Sequence, residues 1–240
     1  MTKSAYLLCF TIALAIPILT YPTCIVIFNY KNVIYVAADS KRHFPTGDQT
    51  ICKIHRVGNV YLSVSSLSDP LFTPLADAAI KIKGPLKLKM ANLKRVAIHF
   101  YDSIFRARPE LYNVWGIGVN DTYPVAYIGF FSFINGKAVL NKMTVHIVRS
   151  IMGNTPDVGA NQEYNLKMAI LGADSHTYDS TMLEVSQIYK STADWLERAK
   201  QMVELERKYD TVNIGIPIRL FKLSSNGEDY KSSQSCPFVH

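Results

Sequence analysis

Two apolar runs joined by a short polar break constrain this chain more than any other feature. They are residues 24–28, Cys-Ile-Val-Ile-Phe, and residues 33–38, Val-Ile-Tyr-Val-Ala-Ala, with Asn29-Tyr30-Lys31-Asn32 between them. Their length and β-branched content predict two strands, and the break predicts a tight hairpin turn. Neither strand alternates between polar and apolar residues. Strands of that kind are covered on both faces, so the hairpin predicts a sheet with a layer packed on each side. A chain of 240 residues, 48% of them hydrophobic, is large enough to supply those layers.

The rest of the chain fits that frame. A third strand is predicted from about residue 51 to 57, and a fourth over 60–64 after the Gly58-Asn59 turn. From 69 to about 108 the apolar residues Leu75, Ala79, Ile82, Leu93, Val96, Ala97, Phe100 and Ile104 recur at helical spacing, and Gly84-Pro85 divides two helices. Strands are predicted again over 114–119 and 126–133. The Asn135-Gly136 turn then leads into a strand over 138–148. A polar loop over 153–164, a strand at 168–171, a helical stretch from 180 to about 208 and a last strand over 212–223 complete the order. Strands, helices, strands, helix and strand predict an α+β chain, with two sheets face to face and helices outside.

Lys3 precedes an apolar run over residues 5–19, broken by Pro17. Positive start, apolar stretch and polar break are the layout of a secretory signal. The run is shorter than the roughly 20 residues that span a bilayer. The expected organisation is therefore a signal peptide, or an uncleaved N-terminal anchor, over 1–22. One domain follows over 23–223, and a polar, disordered tail over 224–240. The expected location is secreted, periplasmic or cell envelope, with a membrane-anchored form as the alternative. Export permits a disulfide among the body cysteines Cys24, Cys52 and Cys236. A Cys24–Cys52 pair is conceivable, and connectivity stays open. The net charge of +7 comes from residues spread along the chain, with no nucleic-acid-binding motif, so no nucleic-acid partner is expected. His43, His55, His99, His146 and His176 lack metal-ligand spacing, so neither metal nor other cofactor is expected.

The segments that carry chemistry are Thr23-Cys24-Ile25-Val26, Val36-Ala37-Ala38-Asp39-Ser40 and Lys53-Ile54-His55-Arg56-Val57. Together they resemble the opening of a proteasome β-subunit or HslV. That family starts its mature chain with Thr-Thr-Ile-Val, places Ala-Asp-Ser on the second strand and carries a lysine on the third. The spacing from Thr23 to Asp39 matches without a gap. Gly172-Ala173-Asp174-Ser175 lies where the family has a Gly-Ser-Gly-Ser turn, and Asp210-Thr211-Val212-Asn213-Ile214-Gly215 resembles its Asp-x-x-Ser-Gly-Gly turn. The likeness covers roughly residues 23–223, densest at the start.

The resemblance implies a four-layer αββα sandwich of the N-terminal-nucleophile (Ntn) hydrolase type. It implies a threonine hydrolase that cleaves an amide or peptide bond through an acyl-enzyme on Thr23. The α-amine of a terminal Thr23 would be the base, since such amines titrate near pH 8. Lys53 would favour the ionised hydroxyl, Asp39 would hold Lys53, and Asp210 would support the amine. Ser66, Asp174, Ser175 and Asn213 would support the site or its oxyanion hole. The partners implied are a peptide or small amide substrate and a homo-oligomer, with membrane contact only if residues 1–22 are retained.

Departures from the family pattern leave two other readings open. Pro22 stands where the family has glycine before its nucleophile, and Ser65 or Ser66 replaces the oxyanion-hole glycine. One alternative is a catalytically inactive fold that serves as a binding or structural subunit. The other is an amidase using Cys24, since thiols are better nucleophiles. Strand parity argues for Thr23, because neighbouring side chains on a strand point to opposite faces.

Overall fold

The computed structural model describes residues 23–42, 49–50, 52–66, 69–114, 116–149, 156–172, 182–210 and 214–230. The expected signal segment and the end of the tail, residues 231–240, lie outside them.

The opening hairpin forms as the sequence predicts. Strands β1 (Ile25–Tyr30) and β2 (Val33–Ala38) pair antiparallel from Ile25↔Ala38 to Tyr30↔Val33. The turn is tighter than the four polar residues suggest. Only Lys31 and Asn32 lie outside the strands, and both have positive φ, the geometry of the commonest two-residue hairpin turns. A short hairpin, β3 (Lys41–Arg42) with β4 (Gln49–Thr50), follows. Next come β5 (Ile54–Val57), β6 (Val60–Ser66), and the helices α1 (Asp69–Ile80), α2 (Leu86–Ala107) and α3 (Leu111–Val114). The long strands β7 (Thr122–Ile134) and β8 (Lys137–Arg149) lead into β9 (Pro156–Glu163) and β10 (Met168–Leu171). Helices α4 (Met182–Ser191) and α5 (Trp195–Tyr209) precede β11 (Arg219–Ser224) and β12 (Gly227–Tyr230).

One sheet has the order β10-β1-β2-β11-β12 and the other β5-β6-β7-β8-β9. Three apolar clusters show how they stack. Ile25, Ile27, Ile34 and Val36 of the first sheet meet Ile54, Tyr61, Phe131 and Leu140 of the second. On the outer side of the second sheet, Leu62, Val64, Ile128 and Phe130 pack under Phe72 and Ile80 of α1 and Leu93, Ala97 and Tyr101 of α2. On the outer side of the first, Cys24, Val26, Phe28 and Ala37 pack under Ala199, Met202 and Val203 of α5. The result is an αββα sandwich. β1 contributes alternate side chains to both clusters on its two sides, which is why it is apolar from Ile25 to Phe28. Burying each such Val, Leu, Ile or Phe stabilises the fold by roughly 1.5–3 kcal/mol.

The sheets are stapled at the end where the β1–β2 turn lies. Asn32 Nδ2 donates to the Gly136 carbonyl at 2.8 Å, and the Ala138 N–H donates to Asn32 Oδ1 at 2.6 Å. Asn29 Nδ2 adds a bond to the Ala138 carbonyl at 3.2 Å.

Four stretches differ from the sequence expectation. Residues 114–119 are not a strand: α3 ends at Val114, Gly116 takes a positive φ, and Val119 makes a single bridge to Arg149. Residues 156–163 are an edge strand rather than a polar loop, pairing with β8 from Arg149↔Pro156 to Lys142↔Glu163. Edge strands tolerate proline and polar residues, which hid this one. The last long strand begins only at Arg219, and the stretch expected as tail continues into β12, which pairs with β11 from Ser224↔Gly227.

Candidate active site

The site lies where β1 begins and β2 ends. The hairpin register sets Ile25 opposite Ala38, which brings the residues just beyond, Thr23 and Asp39, side by side. The Asp39 N–H donates to the Cys24 carbonyl at 3.0 Å and closes the pair. Lys53 enters from the other sheet, one residue before β5.

The three side chains converge on one carboxylate. Thr23 Oγ1 donates to Asp39 Oδ1 at 2.8 Å, and Lys53 Nζ donates to the same oxygen at 2.9 Å. The Cys24 N–H reaches Oδ1 at 3.0 Å, and the Gly215 N–H reaches Oδ2 at 3.3 Å. Asp39 is wholly buried and Lys53 is 4% exposed. A buried carboxylate and ammonium are tolerable only when paired and hydrogen-bonded, and both conditions hold here. Chemically, the arrangement fixes a hydroxyl and a cation on one anionic support.

The surrounding backbone holds this support from three sides. Asp210 ends α5: its N–H donates to the Glu206 carbonyl at 2.9 Å, and its own carbonyl accepts from the Ile214 N–H at 3.1 Å. That turn delivers the Gly215 N–H to Asp39. Ser40, also buried, donates from Oγ to the Pro217 carbonyl at 2.6 Å and ties the end of β2 to the same turn. Gly172, at the end of β10, lies against Thr23. Its φ is +78°, and a Cβ there would come within 1.9 Å of the Thr23 carbonyl oxygen and 2.1 Å of Ser65 Oγ.

Strand parity separates the rival nucleophiles. Cys24 is a fully buried thiol on the opposite face of β1 from the inter-sheet residues, packed in the cluster under α5. Cys52 is disulfide-bonded, so a Cys24–Cys52 pair does not form. Ser66, expected beside the oxyanion, turns its hydroxyl to the Tyr101 hydroxyl at 2.5 Å, on the α2 side of the second sheet. Ser65, its neighbour, faces the site instead and lies 3.5 Å from the Thr23 carbonyl. Asp174, Ser175 and Asn213 lie outside the described residues.

The structure brings together Thr23, Asp39 and Lys53, three of the residues singled out from the sequence. Ser40, Gly172 and Gly215 were not singled out as site residues, and of the two serines weighed for the oxyanion-hole glycine it is Ser65 that faces Thr23. Ser40, Gly172 and Gly215 stand inside the motifs already quoted, but they act through backbone contacts or a second hydroxyl, which residue type does not advertise.

The four layers form an αββα sandwich, and in this chain a threonine, an aspartate and a lysine meet where the two central sheets face each other. No protein-family model matches the chain, and no curated protein matches it. Among solved structures it is similar to Thiobacillus denitrificans BPH in complex with epoxomicin, with a TM-score of 0.46 and 14% identity over 84% of this chain and 98% of that one. A second structure of Thiobacillus denitrificans BPH gives 0.46 and 15% over the same shares.

Proposed function

We propose that the protein is an exported threonine hydrolase that cleaves an amide or peptide bond. The observation that carries this reading is the buried Asp39 carboxylate, which accepts from Thr23 Oγ1 and Lys53 Nζ at once. Cleavage before Thr23 would free its α-amine. That amine would take the hydroxyl proton while Lys53 favours the developing alkoxide, and the oxygen would attack the substrate carbonyl to give an ester on Thr23. The amine would then return its proton to the leaving group, and water would hydrolyse the ester. Backbone donors for the oxyanion would come from the end of β6, which runs on to Ser66 although its ladder with β5 begins at Ile54↔Ser63. Asp210 would serve the amine. Export is supported by the Lys3-led apolar run and by the disulfide at Cys52, a bond that persists in oxidising compartments. A peptide or small amide is the proposed substrate, and a homo-oligomer the proposed assembly.

A second reading, a catalytically silent binding or structural subunit, is favoured by Pro22, where the family has the glycine of self-cleavage. Intact mass and N-terminal sequencing of the exported protein separate the two. A chain starting at Thr23 that forms a covalent adduct with a peptide boronic acid supports the hydrolase. A chain that retains Pro22 and forms none rejects it.

A further inference from the structure

Between Asp77 and Asp102 the chain carries Lys81, Lys83, Lys87, Lys89, Lys94 and Arg95 and no acidic residue. This stretch holds a net charge of +6, against +7 for the whole chain, so the cations elsewhere are nearly balanced by acids. It forms the end of α1, the connection that follows and the larger part of α2. Lys89 is turned into the corner: its Nζ donates to the Ile80 and Ile82 carbonyls at 2.7 and 2.6 Å. Asn92 Nδ2 adds a bond to the Ala79 carbonyl at 2.7 Å. These bonds cap the C-terminal end of α1 and fix it against α2.

The other five cations are left on the outside. Lys81, Lys83, Lys87 and Arg95 are exposed, and Lys94 is half-buried. Among the described residues none of the five has a carboxylate within ion-pair distance, whereas Arg56, Arg106, Arg108, Lys142, Lys200 and Lys208 all do. Arg95 reaches only the neutral Asn92, at Oδ1, at 2.8 Å. Apolar groups stand among these charges. Leu88 is 50% exposed and leans back over the connection, where a Cβ on Gly84 would meet its Cδ2 at 2.9 Å. Leu88, the exposed Ala91 and Arg95 are spaced three and four residues apart, which sets them on one outward face of α2.

We propose that this corner is a docking surface for an anionic lipid membrane, with the lysines on the headgroup phosphates and Leu88 inserted between them. Lysine ammoniums are flexible point charges that suit a fluid, diffusely charged surface, whereas a fixed phosphate site favours arginine forks. Lysines around an exposed leucine on a helix face are the pattern of segments that lie in the lipid interface. Nucleic acid fits less well, because residues 78–99 contain no Phe, Tyr or Trp on which a base would stack. Each lysine near an anionic surface strengthens binding about fivefold.

The corner lies at the end of the sandwich away from Thr23. Gly84 and Leu86 line one cavity with Asn59 and Val60 at the start of β6, while Ser65, near the other end of β6, faces Thr23. The strand between them spans roughly 17 Å. Docking by the corner leaves the Thr23 end turned away from the lipid, and it holds whether or not Thr23 is a nucleophile.

The test is co-sedimentation of the full chain with vesicles of phosphatidylcholine, alone or mixed in equal parts with phosphatidylglycerol. The chain should prefer the anionic vesicles, and added salt should weaken that preference by screening. Lys81→Gln, Lys83→Gln and Lys87→Gln combined should lower the preference about a hundredfold and flatten its salt dependence. Leu88→Gln should weaken binding while leaving the salt dependence as it was. Both variants should melt like the parent chain, because all four side chains are exposed. Acetylation by acetic anhydride, read by mass spectrometry, locates the contact even when residues 1–22 also hold the chain on lipid. Anionic vesicles should protect Lys81, Lys83 and Lys87 and leave Lys208 on α5 as reactive as before. Three lysines that stay equally reactive overturn the proposal, as does a combined variant that keeps the parent's preference for anionic vesicles. Tighter binding to soluble polyglutamate or duplex DNA than to vesicles of equal charge overturns it in favour of an acidic protein or a nucleic acid.

Discussion

Lys53 Nζ lies 2.9 Å from Asp39 Oδ1, with the lysine side chain 3% exposed and the aspartate fully buried. Removing one charge from such a pair strands the other in the interior, and buried pairs broken this way typically lose about 3–5 kcal/mol. Asp39→Asn and Lys53→Met should each fall in that range by chemical denaturation. The double variant should recover part of the loss, because no charge remains and the asparagine oxygen, set in place of Oδ1, still accepts from the Cys24 N–H, although the amide nitrogen in place of Oδ2 no longer accepts from Gly215. All three should be inactive. Single variants as stable as the parent chain would mean that the pair is open to water.

Thr23 and Cys24 offer a cleaner division of labour. The Thr23 hydroxyl reaches Asp39, whereas the Cys24 thiol is sealed beneath α5. Thr23→Ala should abolish hydrolysis at a cost of about 1 kcal/mol in stability, the worth of one hydrogen bond. Cys24→Ala should cost a comparable amount, on the order of 1 kcal/mol, and leave activity near that of the parent chain. Assays of each variant on one amide substrate, with thermal melts alongside, check both. Full activity in Thr23→Ala would end the threonine reading.

The sequence revealed what depends on side-chain period and spacing. The apolar run over residues 24–28 announced two covering layers; Thr23 and Asp39 came from the family likeness, and the hairpin register is what sets them side by side. Lys53 came from the likeness of residues 53–57 to the family's lysine-bearing strand. Contacts made by backbone or by tertiary closeness stayed hidden. Nothing in the identity of Gly215 says that its N–H binds Asp39, and Ser65 and Ser66 differ only in which face of β6 they occupy. β9 was missed because an edge strand needs no apolar alternation on its open side.

Alkaline pH should weaken the fold through three tyrosines. Burial is the main cause that raises the phenol pKa of Tyr35, Tyr112 and Tyr189 above the ordinary 10.0, and in Tyr189 the nearby Arg198 opposes it. A pKa higher in the folded chain means that folding favours the neutral phenol. The associated stability is fully present below the unfolded value near 10 and is lost as pH rises through the folded values. Absorbance at the phenolate band should show these groups ionising together with loss of the folded signal. Tyr189→Phe, which cannot ionise, should retain more stability on the alkaline side. Early, independent ionisation of all three phenols would contradict the burial.

Gly172 offers the most local probe of the Thr23 position. Two penalties act on any side chain there. The left-handed backbone, with φ at +78°, costs an L-residue about 1–2 kcal/mol. A Cβ would also collide with the Thr23 carbonyl oxygen at 1.9 Å and with Ser65 Oγ at 2.1 Å, so β10 or the start of β1 must move. Gly136 isolates the first penalty, because its φ is +73° and nothing lies within 4 Å of the added atom. Gly136→Ala should therefore lose only the backbone strain, about 1–2 kcal/mol, and stay active. Gly172→Ala should lose more stability than Gly136→Ala, and its boronic acid labelling of Thr23 should slow about a hundredfold, since the displaced hydroxyl no longer sits on Asp39. Equal losses in the two variants, with equal labelling, would show that the Gly172 backbone does not set the place of Thr23.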